Sequence, residues 1–171
     1  MGITTKTGDN GKTSSFSCNC QSKGDYLFEV LGNLDELISH IGYEGWIGKV
    51  IQEQLFQICE SLATRKPTAC FALPIFNAIC AWAEEQLKKD GKYPSDFIYA
   101  GTNEGARQSH ITRAVCRRVE RSLVRYRDEH GGQFDSTILK AINRLSDALY
   151  LLACYNEDKI IYVNRKDRNA K

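Results

Sequence analysis

Three groups of residues in this chain have the types and spacings that chemistry needs. The first is the opening run Thr4-Thr5-Lys6-Thr7-Gly8-Asp9-Asn10-Gly11-Lys12-Thr13-Ser14. Its glycines let the backbone turn tightly and approach a ligand closely. Its free N–H groups, threonine hydroxyls and lysines are donors for phosphate oxygens. Asp9 can hold a magnesium ion, directly or through water. The run is not a G-x-x-x-x-G-K-[ST] phosphate loop. By composition alone a polar chain end is more often a disordered terminus than a site.

The second group is Arg113-Ala-Val-Cys-Arg117-Arg118-Val-Glu120-Arg121. Helical spacing places Arg113, Arg117, Glu120 and Arg121 on one face. Arg118 lies about 100° round from Arg117, toward Val115 and Val119, so it is expected to be half-buried and to need a partner. Crowded guanidiniums repel one another. Glu120 can offset one through an i, i+3 pair, and a polyphosphate would neutralise the rest through bidentate bonds. The bland alternative is a solvated basic face. The third group is Asn143, Arg144 and Asp147, polar residues that interrupt a leucine stripe. Asn143 and Asp147 share a face, and Arg144 can pair with Asp147. A buried or interfacial ion pair that fixes helix register would look the same.

The elements that must position these groups read as helices. Leu27, Leu31, Leu34, Ile38 and Ile41 form one apolar stripe, which Gly42 can stop. Ile47, Ile51, Leu55, Ile58 and Leu62 form a second, with Pro67 as a breaker. Ile75, Ile79, Trp82 and Leu87 form a third, with Pro74 in its first turn and an end before Gly91. Residues 91–102 read as a connector with an apolar island from Phe97 to Tyr99. A long helix follows from about Asn103 to His130, ended by Gly131 and Gly132. Ser136 is a candidate cap for the last helix, where Ile138, Ile142, Leu145, Leu149 and Leu152 recur. The expected fold is all-α, a five-helix bundle with a four-helix-bundle-like core and an N-terminal loop arm. The expected organisation is one domain over 1–171: an arm (1–24), the bundle (25–157) and a polar tail (158–171) with an apolar patch at 160–163.

Composition narrows the function classes. The chain has 171 residues, 42% hydrophobic and 26% charged, a profile that suits one globular domain. Its 23 basic and 21 acidic residues leave a net charge of +2, no reason to expect nucleic-acid or membrane binding. No apolar run approaches the ~20 residues of a membrane span. The first motif starts at Ile3, with no room for a cleaved presequence before it, so the chain reads as mature. The seven cysteines form an odd set with no metal-ligand spacing. Reduced thiols in a cytoplasmic protein are the plain expectation.

In order and spacing, the motifs resemble those of the propanediol-utilisation-type ATP:cob(I)alamin adenosyltransferases. TKTGDNGKT is similar to that family's ATP-binding arm. GNLDELISHIG at 32–42 is similar to its G-x-x-D-E-L-N-S-x-I-G, and IQEQLFQICESLAT to its I-Q-x-x-L-F-x-I-x-x-x-L-A-T. RAVCRRVER and NRLSDALYLLA are similar to two further signatures, and the likeness runs from residue 3 to about 156.

The resemblance implies a homotrimer with active sites between subunits, which transfers the 5′-deoxyadenosyl group of ATP to cob(I)alamin and releases triphosphate. It implies ATP contacts from Thr5, Lys6, Thr7, Gly8, Thr13, Ser14, Lys23, Arg117, Arg118, Glu120, Arg121 and Asn143. Arg117, Glu120 and Arg121 would be catalytic. Magnesium would be held mainly by the ATP phosphates, with Asp9 a further ligand. Phe97 matches a residue that closes the lower face of the corrin ring. Asp35 and Arg113 match a pair that bridges subunits, and Asp147 is expected to support Arg144 rather than touch substrate. A cobalamin reductase and a B12-dependent client enzyme are the implied partners. The sequence departs from the family at Cys18 and Cys20, at Ile38, at 99–102, where a proline and a glycine are missing, and at Ser109 before His110. These changes cluster toward the expected corrin side. They motivate the alternative of an ATP-binding, corrinoid-binding or sensor module with weak or lost turnover.

Overall fold

The computed structural model describes residues 4, 6–13, 20–42, 45–66 and 71–163. Within them lie five helices: α1 Tyr26–Ile41, α2 Gly45–Thr64, α3 Ala72–Lys89, α4 Glu104–Glu129 and α5 Ser136–Asn156. Side-chain caps set three of the starts. Asp25 accepts from the Leu27 N–H at 3.0 Å, Asn103 from Ala106 at 2.8 Å and Asp135 from Thr137 at 2.8 Å. Each satisfies an orphan donor of a first turn. The cap of α5 is therefore Asp135 and not Ser136, which is the first helical residue. Both types cap well, and the extended backbone at Asp135 (φ −63°, ψ 127°) decides between them. Pro74 lies in the first turn of α3, where its missing N–H costs nothing. α1 stops at Gly42, with φ 68°.

The helices pack as a closed ring in the order α1, α2, α3, α5, α4. Their stripes meet in one core containing Leu34, Ile58, Phe76, Leu123 and Ile142, all fully buried. Leu31 and the stripe ends Ile41, Ile47 and Leu152 are only partly covered. α5 packs on both α3 and α4, so its polar residues Asn143 and Asp147 emerge at its margins, exposed.

Two regions depart from the expected outline. The described part of the arm is a small antiparallel hairpin rather than plain loop, β1 (Lys12–Thr13) against β2 (Gln21–Ser22). The apolar patch of the tail folds back on the connector. Ile98 bridges Tyr162, the Tyr99 N–H donates to Ile161 O at 2.8 Å, and the Val163 N–H donates to Phe97 O at 2.9 Å. Pro67, Cys18 and Cys70 lie outside the described residues.

Candidate active site

Residues spaced at 110, 113 and 117 on α4 face residues 146, 147 and 150 on α5. The connector closes a third side, leaving a cavity of about 630 Å³. Its walls carry His110, Arg113 and Arg117 from α4, Ser146, Asp147 and Tyr150 from α5, and Pro94 to Ile98 from the connector. Phe97 is 67% exposed, an apolar ring presented at the rim. Burial, with Cys154 next, pushes the Tyr150 hydroxyl up to about 12, so it stays protonated. The Arg113 guanidinium lies 5.4 Å from the centre of the Tyr150 ring, a cation–π distance. Its Nε is buried without a hydrogen-bond partner among the described residues. A buried donor of a permanent cation left unpaired is costly and suits an anionic partner from outside the bundle.

Arg117 and Arg121 are exposed and Glu120 is half-buried on the same side of α4. The expected Glu120 pairing is not formed: among the described residues no ion pair joins Glu120 to Arg117 or Arg121. Arg118 also departs from expectation. It is exposed rather than half-buried, and it forms a hydrogen-bonded ion pair with Glu36 of α1. The packing of α1 against α4 supplies a carboxylate that a helical projection of α4 alone cannot show. Arg144 does pair with Asp147, at 3.1 Å, though Asp147 also faces the cavity. Beneath the arginine row, burial pushes the Cys116 thiol up to about 12. It is an inert packing group.

The arm is organised around one turn. The Asp9 N–H donates to Lys6 O at 3.3 Å, Gly11 to Gly8 O at 3.2 Å and Lys23 to Gly11 O at 2.9 Å. The Lys23 ammonium donates to Gly8 O at 2.9 Å. A Cβ at position 8 would stand 2.7 Å from that ammonium, so glycine there lets Lys23 close over the turn. Lys6, Gly8 and Lys23 are thus brought to one turn, Thr7 lies within that turn and Thr13 in β1. Thr5 and Ser14 lie outside the described residues. Among the described residues, no hydrogen bond or ion pair links Lys6, Gly8, Asp9, Lys12 or Lys23 to α4.

Asp35 is exposed on α1 and lines a second, mostly apolar cavity of about 510 Å³, with Phe56, Cys59 and Thr64 of α2. That cavity shares no residue with the one lined by Arg113. Sequence reasoning missed Glu157, the capping residue after α5. Its side chain is fully buried and accepts from the Gly101 and Thr102 N–H groups, both at 2.7 Å. It also accepts from the Thr102 hydroxyl and from His110 Nε2 at 3.1 Å. The only local signal was a carboxylate just past the last apolar turn.

The model of the family described as cobalamin adenosyltransferase matches residues 3–156. The corrinoid adenosyltransferase MMAB of Homo sapiens is 33% identical over 188 residues, spanning 95% of this chain and 74% of that protein. Its Mus musculus counterpart is 34% identical over 171 residues, spanning 90% and 71%. Among solved structures, one is a phenylalanine-to-alanine variant of a PduO-type ATP:corrinoid adenosyltransferase from Lactobacillus reuteri, complexed with cobalamin and ATP. It aligns with a TM-score of 0.77 at 26% identity, covering 95% of this chain and 100% of that one.

Proposed function

This chain belongs to the cobalamin adenosyltransferase family, and on that premise we propose how its residues divide the work of an ATP:corrinoid adenosyltransferase. The enzyme transfers the 5′-deoxyadenosyl group of ATP to cob(I)alamin. Cobalt forms a bond to the 5′ carbon, the carbon–oxygen bond breaks, and its electron pair leaves with triphosphate. Cob(I)alamin is itself the nucleophile, so the protein has to align the two substrates and receive negative charge on the leaving group.

The observation that carries the division is the 630 Å³ cavity, with Phe97 on one wall and Arg113 and Arg117 on another. In this reading the corrin ring lies against Phe97, whose apolar face excludes a lower ligand and eases formation of Co(I). Arg117, Glu120 and Arg121, with Asn143 of α5 and with Arg118 once it leaves Glu36, hold the triphosphate end. The arm brings Lys6, Gly8 and Lys23, together with Thr5, Thr7, Thr13 and Ser14, over the same phosphates and excludes water.

Magnesium fits this arrangement in a limited way. Asp9 is exposed in the arm's turn, and no group of three or more His, Cys, Asp or Glu stands together among the described residues. One carboxylate suits an ion carried mainly by phosphate oxygens. The ion supplies charge neutralisation there.

Asp35 and Arg113 line separate cavities within one copy, an arrangement that suits a pair meeting across two copies. We take that as support for a homotrimer with sites between subunits, in which Asp35 of a neighbour satisfies the orphaned Arg113 Nε. No helix among the described residues is long and apolar enough to cross a membrane. A cytoplasmic enzyme supplied by a cobalamin reductase and serving a B12-dependent client completes the reading. The test is an ATP titration of wild type and Arg117→Ala. The variant should bind about tenfold more weakly, the loss of one charge-assisted contact. Equal affinity would remove the arginine row from the nucleotide site.

A further inference from the structure

Glu157 has no part in the reaction as drawn, yet its carboxylate takes four hydrogen bonds. A buried carboxylate is expensive unless its lone pairs are filled. Here the N–H groups of Gly101 and Thr102 donate at 2.7 Å each, the Thr102 hydroxyl donates to Oε2, and His110 stands at 3.1 Å from Oε1. These donors lie 47 to 56 residues away in sequence. They belong to the connector that presents Phe97 and to the helix face that walls the cavity. None of this is needed to end α5, which the backbone N–H of Glu157 does by bonding to Ala153 O and Cys154 O.

The residues around Glu157 extend the grip. Lys92 Nζ donates to Glu157 O at 2.8 Å, and the Asp158 N–H donates to the Thr102 hydroxyl at 2.9 Å. Asn103 Nδ2 donates to Asn156 O at 2.8 Å and to Asp158 Oδ1 at 2.9 Å. Beyond them the strap at 161–163 takes the backbone on both sides of Ile98. The connector turns at Gly101 with φ 87°. A Cβ there would also meet Arg107 Cβ at 3.0 Å, so the turn is fixed in a shape that few residues tolerate. A ring that is 67% exposed is aimed chiefly by its backbone, and both ends of this stretch of backbone are tied to residues 157–163.

We propose that Glu157 is a positioning residue for corrinoid binding. Through Gly101, Thr102 and His110 it locks the connector so that Phe97 sits over the cavity, while the nucleotide side is left untouched. The proposal rests on the reading of that cavity as the corrin side.

The test is steady-state kinetics with cob(I)alamin under anaerobic conditions, varying each substrate in turn. In Glu157→Gln the amide must turn a donor toward a ring of donors. The corrinoid KM should rise about tenfold while the ATP KM stays within about twofold. Thr102→Ala should raise the corrinoid KM by about threefold, and Thr102→Ser should restore it. An unchanged corrinoid KM in Glu157→Gln, or equal rises in both KM values, would overturn the assignment. Should Glu157→Gln fail to fold, equal corrinoid KM values in Thr102→Ala and Thr102→Ser overturn it instead. Phe97→Ala separates the two levels. If it behaves as wild type, the cavity reading fails. If it alone weakens corrinoid use, the cavity reading stands and the clamp falls.

Discussion

The two halves of the proposed site are built to opposite standards. The Phe97 side is tied by a fully buried carboxylate, a strand-like strap and two helices of the core. The described residues of the arm, 6–13 and 20–23, carry turn hydrogen bonds, a two-residue ladder and an ammonium–carbonyl contact, all at exposed or half-exposed positions. Pre-organisation lowers the ordering cost of binding, which suits a large rigid ring. A segment that orders over its ligand bears that cost at binding and gains closure and exclusion of water. On the proposed division, the difference teaches that stability and nucleotide handling should reside in different parts of this chain and separate under mutation.

The largest effect should come from the tied side. Leu145 is fully buried on α5, next to the cavity residue Ser146. Leu145→Ala should cost about 2–5 kcal/mol of stability, the transfer term plus the cavity left behind, read by thermal or denaturant unfolding. Lys23→Ala, next in size, should act on function alone. Its melting temperature should match wild type, and its ATP KM should rise about tenfold. A Lys23→Ala protein with a lowered melting temperature and a normal ATP KM would erase the contrast.

Much of this division was legible in the sequence, for a physical reason. Helix periodicity and caps are local, so Leu27 to Ile41, the first-turn Pro74 and the span from Asn103 to His130 could be read in advance. What failed was long-range. Arg118 was placed by the wheel of α4, but α1 brings it Glu36. Glu157 carried no local signal, because its partners arrive only when the connector folds across the end of α5. Thr102, read as a departure from a family glycine, supplies the hydroxyl that Glu157 accepts. Arg113, Arg117 and Asp147 of the cavity were legible from charge and helical spacing, whereas Phe97 was recoverable only through the resemblance, since nothing in an isolated phenylalanine announces a ligand surface.

A smaller effect sharpens the account of the arm. Gly8→Ala puts a methyl 2.7 Å from Lys23 Nζ, at the end of a flexible side chain that can swing aside. Stability should not change, and the ATP KM should rise about threefold. Combined with Lys23→Ala, the second substitution should add little, because both act through one contact. Full additivity would show that Gly8 serves the nucleotide independently of Lys23.

The smallest effect is the pH dependence of the tied side, and its sign follows from two groups. His110 is held below its ordinary 6.5, by burial first and then by the charge of Arg113, against the pull of Glu157. Between its folded pKa and 6.5 the unfolded chain binds a proton that the native one does not, so stability falls as pH drops through that window. Burial works against the charge on Glu157, but the Thr102 hydroxyl and the Gly101 and Thr102 N–H groups outweigh it and hold the carboxyl below 4.5. Its contribution is full above 4.5 and is lost as pH falls through the folded value. Both groups therefore make acid loosen the connector, His110 first. Melting temperatures of wild type should decline from pH 7 toward 5, and His110→Asn should flatten that segment while leaving the steeper fall below pH 4.5. A variant with the same slope as wild type between pH 7 and 5 would mean that other groups carry the acid sensitivity.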